Sequence, residues 1–248
     1  DRFLDGSPQG RTAWMRAPYR DAPDYCGYGT LSDEAVRANI LLALSHNMQI
    51  LAHCNGDAAA EQYIDAVAAL EEEGKDVAAL RPVIIHAQLL GCDQLARVRA
   101  CGLLPSFFVA HVYHWGDVHI ANFGRERAEK ISPAASALKA GIRFTFHQDA
   151  PVIEPNMLET VWCAVNRKTR AGVSLGVDEG VSTLEALKAV TCNAAYQYFE
   201  EGEKGSIRAG KQADLVILDR DPLKTEPKQL REIRVLETVK GGETVYRA

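Results

Sequence analysis

Three observations predict an α/β fold built on a parallel sheet. Apolar runs end in chemistry-bearing residues: Ile50-Leu51-Ala52 before His53, Pro82-Val83-Ile84-Ile85 before His86, and Ile142 to Phe146 before His147, Gln148 and Asp149. Such runs mark strands buried on both faces, as parallel strands are. Stretches of helical periodicity separate them, and no hairpin signal occurs until late in the chain, so each strand leads into a crossover helix. A residue at the carboxyl end of such a strand sits where α/β barrels carry their chemistry. His, His and Asp at three of these ends are donors suited to a divalent metal.

Residues 1–30 hold a short strand near 1–5 and then a loop rich in Gly and Pro. Ser32 is the predicted N-cap of a helix whose apolar positions are Val36, Ile40, Leu41 and Leu44. The His53 strand follows, and Asp57 is the predicted cap of a helix with Tyr63, Ile64, Val67 and Leu70 inside and Gly74 as its stop. After the His86 strand, a helix runs from about Cys92 to Cys101 and ends at Gly102. Residues 103–109 form a strand leading to His111, His114 and His119. Ser132-Pro133 reads as an N-cap with Pro at the first helical position, and Gly141 ends that helix. The strand at 142–147 leads to Asp149.

Beyond Asp149 the pattern changes. Met157 to Val165 reads as a helix, and Ser182-Thr183-Leu184-Glu185 is a capping box opening another that runs to about Phe199. Leu215 to Asp219 reads as a short buried strand. Residues 235–239 and 244–246 form a hairpin through Gly241-Gly242. The predicted division is a partial barrel at 1–204 and a small β element at 205–248.

Bulk properties exclude several classes of function. The chain has 248 residues, 47% of them hydrophobic, and a net charge of −5. That leaves no basic footprint for nucleic acid and none for an anionic membrane surface. No apolar stretch approaches the roughly 20 residues that span a bilayer. The six cysteines form no Cys-x-x-Cys pair, and buried reduced thiols in a cytoplasmic protein are expected.

The ordered motifs resemble a known family. His53-Cys54-Asn55-Gly56-Asp57, Ile85-His86-Ala87-Gln88, Gln148-Asp149-Ala150-Pro151-Val152, and Lys204-Gly205-Ser206-Ile207 with Gly210 to Val216 are similar, in order, to motifs of the amidohydrolase superfamily. Asp5-Gly6-Ser7 with Arg11-Thr12-Ala13 matches its YtcJ-like branch, which includes N-substituted formamide deformylases. The resemblance implies a metal-dependent hydrolase of C–N bonds other than peptide bonds, on a (β/α)8 TIM-type barrel with a small β-sandwich. Strands four to eight would be present and the early ones absent. By motif match His53 and His86 come from the fifth and sixth strands as metal ligands. Asp149, from the eighth, would bind metal and take a proton from the attacking water. The metal implied is zinc, as one or two ions.

Two elements of the family pattern are missing. The first-strand His-x-His pair has no counterpart, and the position of a bridging lysine falls near Asp1. A fragment lacking the first three strands is the expectation. It would associate with itself or with the missing segment.

His111, Trp115, His147 and Arg167 are candidate substrate-binding residues. His111 reads equally as a solvated loop residue and Arg167 as an exposed one; His147 would share a side of its strand with Asp149 and so face the pocket, and it reads equally as a core histidine. Two competing readings are a mononuclear zinc deaminase-like enzyme, whose Glu-bearing motif this chain lacks, and a metal-free protein that keeps the fold alone.

Overall fold

The computed structural model describes residues 2–248; the position near Asp1 considered for a bridging lysine lies outside them. Five strands form a parallel sheet in chain order: β1 (Arg2–Phe3), β2 (Leu51–Cys54), β3 (Val83–His86), β4 (Leu104–Phe107) and β5 (Thr145–Phe146). Among the described residues this sheet has two open ends, β1 and β5. The register pairs Phe3 with His53, His53 with Ile85, and Ile85 with Ser106. Paired residues in a parallel sheet share a face, so these four line one side. Ala52, Cys54, Ile84 and Phe107 alternate onto the other, where helices cover them and they are buried.

The helices follow their sequence signals with informative exceptions. α1 (Asp33–Ser45) is capped by Ser32, whose Oγ accepts from the Ala35 N–H at 3.3 Å. α2 (Asp57–Glu72) buries Tyr63, Ile64, Val67 and Leu70, as the spacing requires. Its N-cap is Gly56 rather than Asp57. The Asp57 carboxylate instead accepts from the backbone N–H and Nε of Arg16. The helix expected over 92–101 is a 3₁₀ turn at Cys92–Gln94 followed by α3 (Leu95–Ala100). α4 (His111–Phe123) carries all three histidines that follow β4, and α5 (Arg125–Ala128) continues from it.

Ser132 is not a cap. It is fully buried with φ +47, its hydroxyl accepts from Gln88 Nε2, and α6 (Ala134–Lys139) starts after Pro133. α7 (Met157–Asn166) is capped by Asn156. The long helix expected after Ser182 is two pieces, α8 (Thr183–Ala189) and α9 (Cys192–Gln197). Ser182 caps Glu185, but the Glu185 carboxylate pairs with Lys188, so the capping box closes on one side only. Cys54, Cys101 and Cys163 are buried while Cys92 is exposed.

A second, antiparallel sheet holds β6 (Leu215–Leu218), β7 (Val235–Lys240) and β8 (Glu243–Arg247). The β7–β8 hairpin turns through Gly241 and Gly242, at φ +58 and +88, the pair of positive values a two-residue turn of this kind needs. β6 is not the buried strand expected: Leu215, Val216 and Ile217 are all at least partly open to solvent. Leu230 and Ile233 are buried and tie the connecting segment to α7, where Trp162 Nε1 donates to the Lys228 carbonyl at 3.1 Å. No helix among the described residues is long and apolar enough to cross a membrane.

Candidate metal centre and its surroundings

Parallel pairing puts the carboxyl ends of β2 and β3 side by side, with the end of β5 one strand further on beyond β4, and His53, His86 and His147 gather there. The rings of His53 and His86 lie edge to face with centroids 4.5 Å apart, and His86 is 4.9 Å from His147. The pleat alone does not produce this. His86 pairs with Cys54, on the face opposite His53. Its φ of +70, followed by +45 at Ala87, turns the backbone over and brings the ring round beside His53. A non-glycine residue held in that region is strained by about 1–3 kcal/mol, and such strain concentrates at functional sites.

The cluster is wired through its ring nitrogens. His147 Nε2 is 3.1 Å from His86 Nδ1, and His147 Nδ1 is 3.0 Å from the Ser106 hydroxyl. That leaves His86 Nε2 without a hydrogen bond among the described residues, and it is not one of the atoms sealed from solvent. Burial pushes His86 down to about 2, helped by neighbouring His147 and His53. Burial also takes His147 down to about 4. Neutral imidazoles are the form that ligates metal.

Asp5 completes the first wall. Its carboxylate is fully buried and accepts three backbone N–H groups, from Trp14 (3.0 Å), Asn55 (2.9 Å) and Gly56 (2.7 Å). It lies 3.3 Å from His53 Nδ1, off the hydrogen-bond line, so that buried nitrogen has no bonded partner. Gly56 is required here because a Cβ would fall on the Trp14 carbonyl oxygen. Asp5 was missed as a site residue, although Phe3-Leu4-Asp5 repeats the apolar-then-polar pattern of the other strand ends.

Other expectations are corrected. The shared side for His147 and Asp149 fails because β5 ends at Phe146 and Asp149 sits in a turn at φ +51. Asp149 is exposed, and its side chain makes no hydrogen bond or ion pair among the described residues. Gln148 clasps the base of that turn, donating to the Asn156 carbonyl and accepting the Asn156 N–H, both at 2.6 Å.

Arg167 is neither exposed nor in position for a substrate. It is fully buried, its Nε donates to the carbonyls of Leu175 and Gly176, and its Nη2 donates to Ile131 at 2.7 Å. Burial lowers it to about 10. It fastens loops together. His111 is a buried helix residue rather than a solvated loop residue, with its ring 4.6 Å from those of Phe108 and Trp115. Phe108 in turn packs on His147 at 5.3 Å.

His53 and His86 fit a divalent cation in donor type and proximity. In number the set is short: among the described residues no group of three or more His, Cys, Asp or Glu side chains is placed to hold an ion.

Comparison with known proteins follows the same line. A model described as "Amidohydrolase family" matches residues 1–246. An N-substituted formamide deformylase of Arthrobacter pascens is 34% identical over 215 residues, covering 86% of this chain and 38% of the relative. The YtcJ protein of Bacillus subtilis (strain 168) is 29% identical over 250 residues, covering 98% of this chain and 46% of the relative. An uncharacterized metal-dependent hydrolase from Pyrococcus horikoshii OT3 superposes with a TM-score of 0.79 at 27% identity, covering 91% of this chain and 45% of that one. The chain spans less than half the length of each.

Proposed function

The chain belongs to the amidohydrolase family, and on that premise we propose that it supplies part of a metal-dependent hydrolase of non-peptide C–N bonds, of amide or formamide type. The observation that carries this reading is the meeting of His53, His86 and His147 at the carboxyl ends of parallel strands. The five strands stand for strands four to eight of a (β/α)8 barrel, and residues 205–248 for part of a small β-sandwich. Further strands and donors would come from another segment or copy.

In this reading His53 and His86 hold the metal, zinc being the ion best suited to imidazole and carboxylate donors. When bound, that ion polarises the substrate carbonyl and acidifies the attacking water. Asp5 flanks His53, and Ser106 and His147 orient His86. Asp149 would be the third donor to that ion, and its carboxylate would take a proton from the attacking water and return it to the leaving nitrogen. His111 and Trp115 border the substrate.

The test compares wild type with Asp149→Asn in the full-length gene product at saturating zinc, on a panel of N-acyl and N-formyl amines. An amide cannot accept the proton, so the rate should fall by about 10² to 10⁴. Equal turnover by the two proteins overturns the role of Asp149. Metal titration of the chain alone should show weak, labile binding, because only two of its donors meet.

A further inference from the structure

The helix that follows β4 carries histidines the metal does not use. His111, Trp115 and His119 are spaced four apart, so they share one face of α4. His111 Nδ1 and His119 Nε2 are 3.0 Å apart, with the rings 5° from parallel. His119 is fully buried, stacks on Phe123, and leaves its own Nδ1 sealed from solvent with no partner. His111 Nε2 makes no hydrogen bond among the described residues and is not sealed.

One proton lies between the two rings, and it can belong to either. If His111 donated it, neutral His119 would carry its remaining proton on Nδ1, an orphaned N–H in an apolar pocket. Orphaned buried donors are the rarer defect in folded proteins. If His119 donates, the unpartnered Nδ1 is only a lone pair, and His111 carries its proton on Nε2, the open nitrogen. Burial keeps both rings neutral, holding His111 well below the usual imidazole range and taking His119 to about 3.

We propose that His119 is a positioning residue that locks His111 as the neutral Nε2–H tautomer, and that this N–H is a hydrogen-bond donor to the substrate's carbonyl oxygen. The location agrees: His111 follows the carboxyl end of β4, the same end of the sheet as His53, His86 and His147, and the Phe108 ring packs on both His111 and His147. The substrate half rests on the C–N hydrolase reading; the tautomer half does not. A donor aimed at an oxygen that gains charge during reaction acts on kcat more than on KM.

Two measurements decide it. Long-range ¹H–¹⁵N spectra of this chain, labelled at histidine, should show His111 with a pyridine-type Nδ1 and a pyrrole-type Nε2. His119→Leu should mix the tautomers, and His119→Gln, which keeps an N–H donor, should restore the single form. In the full-length protein, His111→Leu should lower kcat by about 10²-fold with KM little changed. His119→Leu should lose part of that, and His119→Gln should recover it. A thermal melt of each variant shows whether it folds, and the wild-type spectrum stands whatever the variants do. A pyrrole-type Nδ1 on His111 in the wild type overturns the proposal, as does an active His111→Leu with unchanged kcat. If no amide is turned over by the wild type, the reading of the reaction fails, and the substrate half falls with it. The spectra then decide the tautomer alone.

Discussion

Ile84 of β3 and Ile217 of β6 each lie inside a four-residue strand among apolar neighbours, yet the first is fully buried and the second is 47% exposed. The parallel sheet reaches burial because its connections carry helices back across one face, and α2 lays Tyr63, Ile64 and Val67 into that core. The three-stranded sheet is joined by a hairpin and a short 3₁₀ turn, neither of which returns a layer over Val216, Ile217 or Val245. An apolar run thus fixes that a strand forms. Whether it is covered depends on what the connections bring with them.

The largest expected effect separates these two isoleucines directly. Ile84→Ala should cost about 2–5 kcal/mol, the range for emptying a packed core site. Ile217→Ala in the same chain should stay within about 0.5 kcal/mol, as exposed positions do. Denaturant midpoints of both variants check this, and equal costs would break the contrast. Association comes next. Among the described residues both sheets end in edge strands, a common route to association, and the three-stranded sheet adds exposed apolar side chains. Sedimentation at micromolar concentration should show concentration-dependent self-association, weakened by Ile217→Lys; a well-behaved monomer contradicts it.

The smallest effect concerns a tie between the parallel sheet and the segment that follows α9. Arg81, just before β3, pairs with Glu201 at 2.7 Å, and this partner holds the Glu201 carboxyl down at about 2. A depressed carboxyl contributes stability above its unfolded value of about 4.3, and the contribution fades as pH falls toward the folded value. Glu201 is 42% exposed, so the pair is worth at most about 1 kcal/mol. Glu201→Gln should melt slightly below wild type at neutral pH, and the gap should close near pH ~3. A gap that widens on acidification would reverse the assignment.

Much of the site was legible because strand ends announce themselves. His53 and His86 follow apolar runs, and parallel pairing does the rest. What stayed hidden depends on backbone turns that side-chain patterns do not encode. The left-handed φ at His86 decides which face its ring takes, and the one at Asp149 parts it from His147. Arg167 was misread because charge predicts exposure unless carbonyls are waiting, and here loops from 131 and 175–176 supply them. β6 was misread for the converse reason, its cover being absent among the described residues.

The three amides gathered by Asp5 have a mechanical consequence. They bind the loop at Trp14 and the turn at Asn55-Gly56 to one carboxylate, and Gly56 lets the two backbones touch. That side of the mouth is a fixed jaw, unable to swing without tearing three hydrogen bonds from a buried charge. The turn after Gln148 is held differently, clamped at its base to Asn156 and exposed from Asp149 to Val152. If Asp149 serves the reaction as proposed, it has to reach the histidines from this turn, because the Asp5 side is pinned at three points.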